Sequence, residues 1–239
     1  MKQEHPVVIS RRVWSVAWLT GVGAFMALLD SSIVNLALET LCEEFHVSLY
    51  LMQWVVSGYL LALTVSLPST AILGRRYGHV VVWKRSLTLF IASSLLCGLA
   101  SDIGLLIAAR ILQGLTAGVM VPAGQAWLRS EAKPTQLGRL MGVVGMAVAL
   151  GPVLGPVAGG ALLERLSWRW LFWMNVPLGL IALVGAWGFL ESQEKQSVSR
   201  SPALGGEPSK GILVDTDVLR IRTLRIFTFI CALTGANLY

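Results

Sequence analysis

The chain has 239 residues, of which 55% are hydrophobic and only 13% charged, with a formal net charge of +6. A soluble globular chain carries about twice that charged fraction, so the composition argues against one. Its three cysteines and three histidines are scattered without metal-ligand spacing or a disulfide framework, and neither a nucleophile–base constellation nor a phosphate loop appears. An enzyme, a bound metal or a cofactor therefore has no motif behind it.

Residues 1–12 form a short basic N-terminus with Lys2, Arg11 and Arg12. It lacks the small-residue cleavage site of a secretory signal, so the first apolar run is expected to stay in the protein. Six uncharged runs then follow one another, at residues 13–29, 49–74, 86–101, 111–128, 140–163 and 170–190. Spanning a hydrocarbon core takes about 20 helical residues. Continued past Asp30 to Leu38, and begun near Ile103 ahead of Arg110, the first and fourth runs are long enough as well. The predicted fold is an all-α membrane protein with six transmembrane helices over residues 13–190.

The first run carries Asp30, with Asn35 five positions on, and the fourth carries Arg110, with Gln113 on the same helical face. Ionisable groups inside a membrane are costly and invite a functional reading. Measured back from Glu39 and forward from Asp102, both lie about 12–14 Å inward from the same membrane surface. Opposite charges at matching depth predict an ion pair between the first and fourth spans. That pair either fastens the two helices or titrates in a transport cycle. Gly114 and Gly118 in the fourth run form a small-xxx-small pair, which predicts close helix packing.

The fifth run reads ALGPVLGPVAGG over residues 149–160. Ala147, Gly151, Gly155 and Gly159 recur every four residues and predict a groove of small residues along one face. Pro152 and Pro156 form a parallel row rotated by about 100° from it. Proline removes a helical hydrogen bond, so the expectation is a bent helix whose groove admits a neighbouring backbone. The sequence alone leaves open a tightly packed helix or a surface that slides against a partner.

After Leu190 the chain turns polar, and residues 191–219 read as a cytoplasmic linker. A seventh apolar run begins at residues 220–239 behind Arg220, Arg222 and Arg225. It reaches about 21 Å as helix, against a hydrocarbon core of about 30 Å, and reads as the start of a truncated seventh span.

Basic residues set the orientation. Arg11 and Arg12, then Arg75, Arg76, Lys84 and Arg85, then Arg129, Lys133 and Arg139 fall on one side. Glu39, Glu43, Glu44, Asp102 and Glu164 dominate the other. The N-terminus is thus expected in the cytoplasm. This bias also accounts for the positive charge, so nucleic acid is not an expected partner. Trp14, Trp18, Trp83, Trp127 and Trp187 near inner ends, and Trp54, Trp168, Trp170 and Trp173 near outer ends, read as aromatic belts.

Five stretches together resemble the N-terminal half of a major facilitator superfamily transporter, of the drug:proton antiporter group with fourteen spans. LDSSIVNLAL (29–38) is similar to the first-helix motif L-D-x-T-I-V-N-V-A-L, and QWVVSGYLLALTVSLP (53–68) follows the second-helix pattern. AARILQGLTAGVMVPA (108–123) carries R-x-x-Q-G, GMAVALGPVLGPVAGG (145–160) resembles the antiporter motif, and LSWRWLFWMNVPLGL (166–180) resembles the entry to helix six.

The resemblance implies proton-coupled antiport of amphipathic small molecules across the inner membrane. Asp30, Asn35, Arg110 and Gln113 would lie on the proton and substrate pathway. Gly151, Pro152, Gly155, Pro156, Gly159 and Gly160 would belong to the antiporter helix. It implies a working partner as well, either a missing C-terminal half or a second copy. The alternative is a truncated, transport-inactive membrane protein that at most pairs with other helices. Gly74, Arg75, Arg76 and Gly78 match a cytoplasmic gating loop, G-x-L-G-D-R-x-G-R-R. There Ala71 stands for the first glycine and Arg75 for the aspartate. In the family that acid lies against a helix N-terminus of the other half, and arginine would turn attraction into repulsion.

Overall fold

The computed structural model describes residues 9–199, with side chains through Trp187. Among the described residues nine helices follow in order: α1 (Arg11–Leu36), α2 (Leu38–Phe45), α3 (Leu49–Ser66), α4 (Ser69–Tyr77), α5 (His79–Gly98), α6 (Ile103–Glu131), α7 (Pro134–Arg165), α8 (Trp170–Trp173) and α9 (Asn175–Ser199). Six stretches are long and apolar enough to cross a membrane: α1, α3, α5, α6, α7 and Trp170–Trp187. The described residues form a six-span, all-α membrane protein unit.

Side-chain caps and turn residues set the helix ends. Ser10 accepts from the Val13 N–H at 3.3 Å at the start of α1. Asp102 accepts from the Leu105 N–H at 2.9 Å at the start of α6. Pro134 opens α7, where its missing N–H costs nothing. Gly78, at φ 82, separates α4 from α5 in backbone that suits glycine alone.

The second apolar run, expected as one helix over 49–74, is divided. Pro68 has no N–H to give the Thr64 carbonyl, and Leu67 N–H bonds there at 3.4 Å in a tighter turn. The first span likewise ends at Leu36, two residues short of the expected limit. Ala37 caps it, and α2 continues with Glu39, Glu43 and Glu44 exposed and Leu41 buried.

The sixth helix overruns its expected end at residue 190 and stays helical to Ser199. The stretch ESQEKQ is built of good helix formers, which outweighs its polarity. Residues 200–219 of the predicted linker, the seventh run with Cys231, and residues 1–8 lie outside the described residues.

Helix α6 packs between α3 and α5 and also touches α1, while α1 lies along α7. Helix α9 closes on α1 and α5, its Gly179 facing Met26 and Ile91. Two buried apolar clusters result. One holds Met26, Trp83, Phe90, Met120, Trp127 and Leu140, the other Leu29, Ile33, Leu41, Met52, Leu106 and Phe172. The outward surface is apolar as well, with Val157 70% and Ile181 72% exposed. Apolar surface both inside and outside is what a lipid-facing bundle requires.

Tryptophan placement departs from the two expected belts. Trp18 and Trp187 are 61% and 66% exposed, and Trp54 and Trp170 also face outward. Trp83, Trp127 and Trp168 are buried instead. The rings of the first two meet at 5.5 Å, tilted by 53°, and Trp168 meets Phe45 at 5.3 Å. Position along a helix sets depth in the membrane but not which way the ring points.

The glycine row behaves as predicted. Gly151, Gly155 and Gly159 are buried against α1. A Cβ at Gly151 would lie 3.0 Å from the Leu29 nitrogen, and one at Gly155 2.6 Å from Ser32 Oγ. Gly21 of α1 faces Ala147 in the same seam. Gly160 stands outside the groove, with its nearest neighbour, Leu36 Cδ2, at 4.0 Å. Gly114 and Gly118 of α6 admit the α3 backbone in the same way, against the carbonyls of Tyr59 and Leu63.

Candidate functional site

Between the two apolar clusters lies one polar layer. Asp30 of α1 is 1% exposed, and Arg110 and Gln113 of α6 are 0% exposed. Arg110 Nη1 donates to Asp30 Oδ2 at 2.5 Å and to Gln113 Oε1 at 2.7 Å. Its Nε donates to the Val55 carbonyl of α3 at 3.4 Å. Gln113 Nε2 donates to Asp30 Oδ1 at 3.1 Å. The charged pair expected from depth alone is formed, and Gln113 bridges both members.

Burial makes this arrangement demanding. Two ions removed from water lose much of their solvation, so their remaining bonding positions need partners. The guanidinium rests on the Tyr59 ring at 4.4 Å and near the Phe172 ring at 5.7 Å. These faces supply cation–π attraction in a site closed to solvent. Tyr59 is held in turn by its hydroxyl, which donates to the Ala27 carbonyl at 3.1 Å.

Three further residues complete the layer, and sequence reasoning missed them. Asn175, the first residue of α9, donates through Nδ2 to Asp30 Oδ1 at 2.8 Å and to Ser94 Oγ at 3.1 Å. Ser94 of α5 also accepts from Gln113 at 3.1 Å and donates to the Phe172 carbonyl at 2.8 Å. Cys97 Sγ lies 3.6 Å from Gln113 Oε1. Asp30 thus accepts three bonds, one through Oδ2 and two through Oδ1. Side chains or backbone from α1, α3, α5, α6, α8 and α9 meet in this layer, and the acid itself is bonded from α6 and α9.

Other predicted residues lie apart from it. Asn35 is exposed and donates to the Ser31 carbonyl at 3.1 Å, one turn back on its own helix. Pro152 and Pro156 face outward, and α7 packs chiefly along α1 with a smaller contact to α8. Gly74, Arg75, Arg76 and Gly78 sit at the α4–α5 junction, where both arginines are exposed and Arg76 covers the Tyr77 ring at 5.3 Å. A Cβ on Gly74 would meet the His79 imidazole at 2.5 Å, so that ring would have to move aside. Among the described residues no group of three or more His, Cys, Asp or Glu is placed to hold a metal.

The layer sets one carboxylate beside one guanidinium, sealed between two apolar clusters, with the Ser94 hydroxyl and the Cys97 thiol bonded into the same network.

Comparison with known proteins agrees with this architecture. The chain is 34% identical over 177 residues to "Multidrug export protein EmrB" of Haemophilus influenzae, covering 74% of this chain and 35% of that protein. It is 33% identical over 195 residues to the "Tetracenomycin C resistance and export protein" of Streptomyces glaucescens, covering 82% of this chain and 36% of that one. The chain thus spans about a third of the length of these relatives. The inward-open xylose transporter XylE from E. coli shares its fold at a TM-score of 0.65 and 15% identity, over 74% of this chain and 48% of that one. The sequence pattern of the Major Facilitator Superfamily matches residues 20–239, and the chain belongs to that family of membrane transporters.

Proposed function

We propose that the six-helix unit over residues 13–190 is one half of a proton-coupled exporter of amphipathic small molecules. Asp30 carries the proton and Arg110 sets whether it is held. The observation behind this reading is the 2.5 Å ion pair with both side chains closed to solvent. A purely fastening pair gains little from such burial, since apolar residues of equal volume hold helices as well or better. A carboxylate that must alternate between charged and neutral needs a dry site and one competing cation.

The export direction and substrate class come from the relatives, whose names describe drug export. In this reading the unit works against a second six-helix unit, supplied by a C-terminal half or by another copy of this chain. Two halves related by an axis along the membrane normal then rock about the midplane. The glycine row of α7 and the α4–α5 junction serve that motion as seam and gate. The basic residues before the first span, between the second and third, and between the fourth and fifth support an N-terminus in the cytoplasm, with the unit in the inner membrane.

The test is a chimaera in which this chain replaces the matched segment of the Haemophilus exporter. Export of a lipophilic cation from cells should require a proton gradient and be abolished by Asp30→Asn. Export that survives Asp30→Asn unchanged sinks the proton-carrying role.

A further inference from the structure

The two amides beside Asp30 are not equivalent. Gln113 is engaged at both ends, since Oε1 accepts from Arg110 while Nε2 donates to Asp30 and Ser94. Turning it over would break its bond to the guanidinium. Asn175 is engaged at one end only. Its Nδ2 serves Asp30 and Ser94, while its Oδ1 is buried and has no hydrogen-bond partner. Buried polar atoms are seldom left in that state; the layer holds one such donor, Arg110 Nη2, and this one acceptor, which is 0% exposed and beside an acid.

A carboxylate is an acceptor only, and the protonated acid has one O–H to donate. In the charged state Asp30 needs donors, and Asn175 presents Nδ2. Once a proton arrives from solvent, the carboxyl needs an acceptor. Oδ2 is held by the charged guanidinium of Arg110, so the proton settles on Oδ1, which keeps its bond from Gln113 Nε2 and turns its O–H toward Asn175. The Nδ2 group would then oppose another donor. A half-turn of the amide brings the unused Oδ1 to the carboxyl O–H and breaks no bond at that atom.

We propose that Asn175 is a positioning residue that reads the protonation of Asp30 by turning over its side-chain amide. The inference rests on Asp30 as the proton carrier. It adds what that reading lacks, a route by which the proton is felt beyond the ion pair. Turning the amide withdraws Nδ2 from Ser94, whose hydroxyl now bonds the Phe172 carbonyl. That hydroxyl can then swing to Asn175 Oδ1 and release α8. The proton on α1 is thereby transmitted to the α8–α9 junction. The titratable groups facing Asp30 are Arg110 of α6, Tyr59 of α3 and Cys97 of α5, while α7 meets α1 here through glycines and α9 contributes only Asn175.

The sequence makes this measurable, because its only asparagines are Asn35, Asn175 and Asn237. The full chain in detergent micelles, labelled with ¹⁵N in the asparagine side chain, gives three amide signals, assigned through Asn35→Gln and Asn237→Gln. These are followed with pH alongside the infrared carboxyl C=O band of Asp30, identified by its loss in Asp30→Asn. The Asn175 signals should shift with the same midpoint as that band, while Asn35, exposed on its own turn, stays fixed. If the Asp30 band titrates and Asn175 does not move, Asn175 is a static donor and this inference is overturned, with the proton carrier intact. If the Asp30 band never appears before unfolding, both fall together. Should Asp30→Asn not fold, the unsubstituted chain still decides, since a pH-independent Asn175 overturns the proposal by itself.

Discussion

Ser32 of α1 donates its hydroxyl to the carbonyl oxygen of Pro152 in α7, 3.4 Å away. That carbonyl is the one Pro156 deprives of its helical N–H, four residues on. The serine of one helix therefore supplies what the proline of another removes. Asp30 lies two positions earlier on the same helix, facing α6, so α1 carries the ion pair on one side and the glycine–proline seam on the other. A displacement of α7 along this seam would act directly on the helix that holds the acid.

This relationship predicts a coupling between residues 32 and 156. Ser32→Ala should lower stability by about 0.6 kcal/mol, the usual size of an interhelical hydrogen bond in a membrane. In a Pro156→Ala background the restored N–H serves the carbonyl, and the same substitution should cost close to nothing. Reversible unfolding in mixed micelles, run as a double-mutant cycle, gives the answer. Equal losses in both backgrounds would show that the hydroxyl does not compensate for the proline.

The groove predicts a contrast between two neighbouring glycines. At Gly155 even a Cβ would fall 2.6 Å from Ser32 Oγ, whereas at Gly160 the nearest atom is 4.0 Å away. Gly155→Leu should separate α1 from α7 and cost about 1–3 kcal/mol or more, as overpacking does. Gly160→Leu should be close to neutral. Thermal unfolding in detergent compares them, and equal midpoints would remove the packing role of the row.

Asp30 and Arg110 were legible in the sequence because charge inside an apolar run is expensive and rare, and Gln113 because it shares the helical face of Arg110 one turn on. Their depth followed from helical rise, and their contact followed from matching depth. Asn175, Ser94 and Cys97 were not legible, because a neutral polar residue in an apolar run gives no signal until its neighbours are known. The six spans were readable from charge-free length alone. Their interruption at Pro68 was hidden inside one uncharged run, and the persistence of α9 to Ser199 was hidden beneath polar composition. Trp83, Trp127 and Trp168 stood at membrane-interface depth in the sequence, but the direction of each ring is settled only by packing.

The ion pair predicts strong non-additivity. Asp30→Asn leaves Arg110 buried without a counter-charge, and Arg110→Gln leaves Asp30 in the same position. Each should destabilise by about 3–5 kcal/mol, the range for breaking a buried pair. The double substitution removes both charges and should cost clearly less than the sum. Arg110→Lys should not rescue, because an ammonium cannot reach Asp30, Gln113 and the Val55 carbonyl in the planar fork that arginine presents. A double-mutant cycle on unfolding free energy measures this, and additive losses would mean the two charges do not depend on each other.

The last prediction concerns residues 1–239 expressed without a second transporter half. Alternating access in this fold comes from one six-helix unit rocking against another around a midplane site. Within this unit the polar layer is shut, with Asp30, Arg110, Gln113 and Asn175 no more than 1% exposed. Every bond they make stays inside the unit. Nothing in a single bundle opens that layer first to one side of the membrane and then to the other. A pair of identical chains would bring together two α4–α5 junctions that present Arg75 and Arg76 on their surfaces, with like charges opposed. The chain by itself should therefore insert and fold, yet export no lipophilic cation above an empty vector in an efflux-deficient host. Joined to the remaining part of the Haemophilus relative, it should export in proportion to the proton gradient. Export by the lone chain that is abolished by Asp30→Asn would show that one unit, or two copies of it, is a complete transporter.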